Sequence, residues 1–292
     1  MYIMMSISPR LFAMILAFLG FTGFSIGDAV YKALSAHADF ATNAFLGSAV
    51  GMICLILYGI PSGKLKGAIF IEKRNLHILR GIIVCFQFLL AVYTFSLLPL
   101  ATAYSLIFCA PFLTAVLARL YLNETVSRVA VITIIIGLLG VLVVLRPGFN
   151  VMSIGYLTAI GTALFVAYMN VLARKIGPQK DHGFAFAFYA LLFILLVAGG
   201  IALYQGGPIP LSLWPLYLLA GVTSVAGTIL LPLSFTMAPA SLLAPIHYIQ
   251  IVWGVLLGWL LFGDIPDAWT ITGITIIVGA GLFLIRHPSG KI

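Results

Sequence analysis

The chain has 292 residues, 63% hydrophobic and 8% charged, with a formal net charge of +8. A soluble domain of this length carries about a quarter charged residues, so a water-soluble fold is excluded, and a mean hydropathy of +1.20 points the same way. The Lys and Arg residues lie in short stretches between apolar runs. They form no single basic face, which excludes a nucleic-acid surface as the main role.

A helix crosses a bilayer with about 20 apolar residues. Ten such runs follow one another, near residues 11–32, 41–60, 79–97, 101–121, 129–146, 154–173, 184–204, 213–236, 241–262 and 269–286. The first follows a single cation, Arg10, without a small-residue cleavage pattern, so it reads as a membrane helix and not a signal peptide. The breaks carry turn chemistry, as in Pro61-Ser62-Gly63, Leu98-Pro99, Arg146-Pro147-Gly148, Gly206-Gly207-Pro208 and Ala238-Pro239. Several connections are only a few residues long, so successive spans are expected to run antiparallel. The predicted class is an all-α polytopic membrane protein.

Loop charges orient it. With the N-terminus inside, the cytoplasmic segments hold Arg10, Lys64, Lys66, Lys73, Arg74, Arg80, Arg119, Arg128, Arg174, Lys175, Lys180, Arg286 and Lys291. The opposite side keeps Lys32 and Arg146. By the positive-inside rule both termini are cytoplasmic, and the stretch from Lys64 to Arg74 is expected to lie along the inner headgroups or, alternatively, to dock a partner.

Residues Phe95 to Arg146 also read as a faint second printing of Phe235 to Arg286, at an offset of 140. Phe95 answers Phe235, Pro99 answers Pro239, Glu124 answers Asp264 and Arg146 answers Arg286. The expected organisation is two five-helix repeats, residues 1–150 and 151–292. An odd number of spans in each inverts the second repeat, the architecture of secondary transporters. It places Glu124 and Asp264 on opposite faces, as solvating turn charges.

Polar side chains at membrane depth need partners, and so ask for a reason. Asp28 and Lys32 stand four apart with the acid first, the spacing of an ion pair along one helix face. Such a pair is structural, or it forms an outer gate or a contact for a charged group of the substrate. Gln87 and Gln250 lie near the middles of the third and ninth spans. Each offers amide donors and an acceptor to a substrate, or to a neighbouring helix. His247 is the one His well inside a span, suited to a proton relay or to structural packing. Pro99, Pro111, Pro232, Pro239 and Pro245 free helix carbonyls and mark hinges or tolerated kinks. Cys54, Cys85 and Cys109 sit in apolar runs without metal-like spacing. No metal or cofactor is expected. An embedded enzyme would need a cluster of acids, His or Cys, and a channel would need rings of charge. The sequence shows neither pattern, and the chain is read as a non-enzyme.

Gly27 to Lys32, Phe95 to Tyr104, the Pro245-to-Trp253 stretch and Gly254-Val255-Leu256-Leu257-Gly258-Trp259-Leu260-Leu261-Phe262-Gly263-Asp264-Ile265-Pro266 resemble the drug/metabolite transporter superfamily, in its EamA-type bacterial branch. The resemblance covers nearly the whole chain. It implies a multi-pass protein of the bacterial inner membrane that moves small organic metabolites by alternating access, with a monomer as the working expectation. Amino acid export, aromatic amino acids included, is the leading expectation. Uptake of S-adenosylmethionine or a riboflavin-like vitamin is the alternative. By analogy the substrate contacts would be Gln87, Tyr104, His247, Gln250 and Trp253, with Tyr168, Asn170 and Tyr248 also on inner helices. Two departures stand out: Phe45 to Ser48 lacks the Arg many relatives carry in the second span, and His247 stands where an apolar residue is usual.

Overall fold

The computed structural model describes residues 9–122, 128–145, 153–176, 182–206, 211–237 and 246–286. In chain order the α-helices are α1 (Pro9–Leu34), α2 (Phe40–Gly59), the short α3 (Lys64–Ile69), α4 (Arg74–Leu97), α5 (Leu100–Ile107), α6 (Ala110–Leu122) and α7 (Arg128–Leu145). The second half holds α8 (Ile154–Ile176), α9 (His182–Gln205), α10 (Trp214–Met237), α11 (Ile249–Phe262) and α12 (Ala268–Arg286). Seven stretches are long and apolar enough to cross a membrane, and Val131–Leu145, Ile249–Phe262 and Ala268–Ala280 are shorter apolar helices. Helices satisfy their own backbone groups, which lipid demands. Their outward faces carry large exposed hydrophobics such as Leu57, Leu139 and Leu203, the surface that hydrocarbon covers.

Helix pairing follows a two-fold pattern. α1 packs on α10 and α4 on α8. Exchanging the halves turns α1 into α8 and α10 into α4, so these are one contact seen twice. The pairs α2–α9 and α7–α12 are each their own image under that exchange, and the contact of α1 with α11 is matched by that of α8 with α6. The pseudo-axis therefore passes through these self-paired contacts and through that of Phe108 with its counterpart Tyr248, where a transporter of this architecture places its site.

Local chemistry sets the helix ends. Leu98 is extended (ψ 153) before Pro99, which opens α5. This is the conformation a proline imposes on the residue before it. The fourth span, expected as one run over 101–121, is interrupted at Phe108 and Cys109. Pro111 explains the break: a proline has no N–H to give the carbonyl four residues back. That carbonyl belongs to Ile107, the last residue of α5. Tyr248, the position matching Phe108, is likewise a turn residue just before α11. α10 runs past Pro232 without interruption. Pro239, Pro245 and Glu124 lie outside the described residues.

At the start of α2 the Asp39 carboxylate accepts from the backbone N–H groups of Ala41 and Thr42, both at 2.9 Å, and from the Thr42 hydroxyl at 2.6 Å. Partial burial pushes the Asp39 carboxyl up, but these hydrogen bonds outweigh it and hold it below its ordinary value. A depressed acid stabilises the fold above its unfolded value of about 3.9 and loses that contribution as pH falls through the lower folded value. Asp39→Ala is expected to cost about 1 kcal/mol at neutral pH. Thermal unfolding in detergent should show the gap from wild type closing below about pH 4.

Candidate functional site

The side chains that meet at the pseudo-axis come from α1, the α5–α6 break and the start of α11. The Tyr104 hydroxyl donates to Asp28 Oδ2 at 2.7 Å. Tyr104 is 4% exposed, its ring lying against the bare Cα of Gly254 and edge-on to Phe95. Seven residues before Gly254, His247 is held between two rings. It stacks on Phe21 of α1 with centroids 4.4 Å apart, and meets Phe108 of the helix break at 4.7 Å. Phe108 also stacks on Tyr248 at 5.5 Å, so the two helix interruptions touch each other across the axis. Gln250 is buried on the next turn of α11, in hydrogen-bonding reach of His247. The Trp253 indole N–H donates to the Thr22 hydroxyl at 3.0 Å, fixing the ring against α1.

Of the five residues expected to contact substrate, His247 and Gln250 thus lie together at the start of α11, while Tyr104 packs on α11 at Gly254 and Trp253 turns to α1. Gln87 does not join them. It shares a face of α4 with Ala91 and Thr94, and the Thr94 hydroxyl pairs with that of Thr158 on α8 at 2.9 Å. Gln87 itself is half-buried and makes no hydrogen bond among the described residues.

The structure corrects the ion pair expected along α1. Lys32 does not pair with Asp28. Its ammonium sits 2.6 Å from Asp264 Oδ2 in the turn after α11, donates to the Leu98 carbonyl at 3.1 Å and lies 4.8 Å over the Phe262 ring. The reason is local. Gly263 takes a left-handed conformation (φ 69) and closes α11, with the Asp264 N–H donating to the Gly258 carbonyl at 3.0 Å. This is the glycine cap that ends many helices, and it delivers the Asp264 carboxylate onto Lys32. A pair across the two halves displaces the pair within one helix. Asp264, expected to be a solvated turn charge, instead joins α1 to α11.

Sequence reasoning also missed Phe21, Thr22 and Phe108. Each is an ordinary residue of an apolar helix. Only its match to Tyr248, four residues past Tyr104 at a helix break, singled out Phe108. Among the described residues no three His, Cys, Asp or Glu side chains are grouped to hold a metal ion.

A helical bundle whose two halves exchange by a pseudo-two-fold axis, with aromatic and neutral polar side chains at the join, is the build of a secondary carrier. The EamA-like transporter family profile matches residues 11–146 and again 153–286. The chain belongs to that family, and is a multi-pass inner-membrane transport protein. It is 29% identical over 280 residues to the "Pseudopaline exporter CntI" of Pseudomonas aeruginosa (strain UCBPP-PA14), covering 94% of this chain and 96% of that one. It is 26% identical over 262 residues to the "S-adenosylmethionine uptake transporter" of Rickettsia prowazekii (strain Madrid E), covering 89% and 88%. An "Uncharacterized transporter" of Helicobacter pylori (strain J99 / ATCC 700824) is 31% identical over 204 residues, 68% of each chain. A solved crystal structure, 17% identical, superposes with a TM-score of 0.65 over 95% of this chain and 99% of its own, and shares the fold.

Proposed function

We propose that the protein is an alternating-access carrier of small polar metabolites, exporting amino acids or compounds built on them. The observation that carries this reading is the His247 cluster. An imidazole between two aromatic rings, beside the Gln250 amide, offers stacking and neutral hydrogen bonding to a zwitterion or a heterocycle. The similarity to a pseudopaline exporter over nearly both full lengths supports export. The two halves, residues 1–150 and 151–292, would rock about the touching breaks at Phe108 and Tyr248. With both termini cytoplasmic, as the loop charges indicate, the Lys32–Asp264 bridge lies at the outer end and holds it closed. One copy is sufficient for this cycle, with lipid around it and the substrate as its ligand.

A second reading, uptake of S-adenosylmethionine, rests on the Rickettsia relative. Purified protein in liposomes, offered amino acids, S-adenosylmethionine and riboflavin, separates the two. Saturable counterflow of an amino acid is the expected result, and movement of S-adenosylmethionine alone would favour the second. His247→Ala and Gln250→Ala are each expected to slow flux about tenfold, the equivalent of roughly 1.4 kcal/mol. Wild-type flux in both folded variants would remove the cluster from the substrate path. Flux that rises linearly with concentration and shows no counterflow would indicate a pore.

A further inference from the structure

Two acids and one cation lie toward one end of the bundle, and they do not balance in pairs. Lys32 has two carboxylates within its range. Asp28 lies one turn back on the same helix face, at the spacing and polarity that favour an ion pair. Asp264 lies in the turn after α11, in the other half of the chain. In this structure the ammonium is on Asp264 at 2.6 Å, with the Leu98 carbonyl at 3.1 Å beneath it. These contacts hold only while the α11–α12 turn and the Leu98-Pro99 turn are drawn in against α1.

Asp28 is left with the Tyr104 hydroxyl, at 2.7 Å. The other groups around it are neutral or already engaged. Tyr31 is its neighbour on α1. Tyr217 of α10 donates to Asn43 of α2 at 2.7 Å. Asp39 at the head of α2 is held by its own cap. Tyr93 of α4 is turned to Phe40. From α11 come the bare Gly254 and Trp253, whose N–H is given to Thr22. Among the described residues, Lys32 is the cation within reach. A lone carboxylate inside a membrane bundle is costly without a counter-charge. Two arrangements satisfy this: a proton on Asp28, or Lys32 returned to it.

We infer that Asp28 is the binding site of a coupling proton, loaded while Lys32 is held by Asp264 and emptied when Lys32 swings back to Asp28. The exchange balances. As the α11–α12 turn moves outward, Asp264 enters water as the anion, the Lys32 ammonium takes up Asp28, and the Asp28 O–H gives its proton to water. Closing the turn reverses each step. The loaded form is therefore the form closed at this end. The name coupling ion rests on the carrier reading above, but the proton site does not.

The test is infrared spectroscopy of the full-length protein in lipid, with the aspartates carboxyl-labelled with carbon-13. The probe is the proton alone. A protonated aspartic C=O band at neutral pH is expected, lost in Asp28→Asn and kept in Lys32→Gln. In Asp264→Asn, where Lys32 is free to return, the band should fall about tenfold, as for a carboxyl gaining an adjacent cation. Asp28→Glu guards against misfolding of the Asn variant, by replacing the labelled band with an unlabelled one. Absence of the band in wild type, its persistence in both Asp28 variants, its loss in Lys32→Gln, or wild-type intensity in Asp264→Asn each overturns the assignment. Because no substrate is used, a carrier that moves none of the tested metabolites and a carboxylate that binds no proton give different results.

Discussion

Lys32→Asp is expected to abolish transport and to destabilise the protein, and Asp264→Lys added to the same chain is expected to restore much of both. The wild-type bridge is largely out of solvent, with side chains 15% and 27% exposed. Removing one member of such a pair leaves the other unpaired, at roughly 3 kcal/mol for well-buried cases. The reversal does more, since it sets a second carboxylate beside Asp264 where like charges repel. It also removes the donor to Leu98, so the Leu98-Pro99 turn and the turn after α11 both lose their anchor on α1. The exchanged pair rebuilds a bridge between α1 and the turn after α11, but leaves α1 without the donor to the Leu98 carbonyl. Recovery is therefore expected to be partial. Thermal unfolding in detergent reads the stability part, and counterflow in liposomes reads the transport part. The coupling between the two substitutions separates a pairwise bond from two independent defects. A double variant no better than Lys32→Asp alone would show that the bridge contributes nothing beyond its separate charges.

Apolar run length and turn residues were enough to mark the helices, seven of them among the described residues long and apolar enough to cross a membrane, because each crossing must satisfy its own backbone. The offset of 140 pointed to paired halves, and the contacts of α1 with α10 and of α4 with α8 are related in that way. What escaped was partner choice. Asp28 and Lys32 have ideal spacing for each other, and spacing is local. The Gly263 cap that brings Asp264 onto Lys32 is also local, but its target lies 232 residues away. Gln87 failed to join the site for a related reason. Its face is legible from Ala91 and Thr94, but which helix that face meets is decided by α8. Pro111 gave a break, and its register fixed the end of α5 at Ile107. The aromatic pair around His247 carried no distinguishing signal in a chain that is 13% Phe, Trp and Tyr.

The paired glycines of α11 give the second large effect, and here the motif and the structure disagree in a measurable way. Gly254 and Gly258 stand four apart and read alike in sequence, as small residues for close helix contact. A methyl at Gly254 would run into the Tyr104 ring, with Cε2 at 3.0 Å and the Leu100 carbonyl at 3.5 Å. Tyr104 has nowhere to go, since it is buried against Phe95 and tied to Asp28. At Gly258 the nearest atom to such a methyl is Asp264 Cβ at 3.7 Å, an ordinary contact. Overpacking costs about 1–3 kcal/mol, whereas alanine in a helix interior gains about 1 kcal/mol over glycine. Gly254→Ala is therefore expected to lower the melting temperature, and Gly258→Ala to leave it level or raise it. Transport should follow the same order, because a displaced Tyr104 takes its hydroxyl away from Asp28. Tyr104→Leu in the Gly254→Ala background relieves the clash but not the lost hydroxyl. It should thus recover stability without recovering flux, which separates the packing role of the ring from the role of its oxygen.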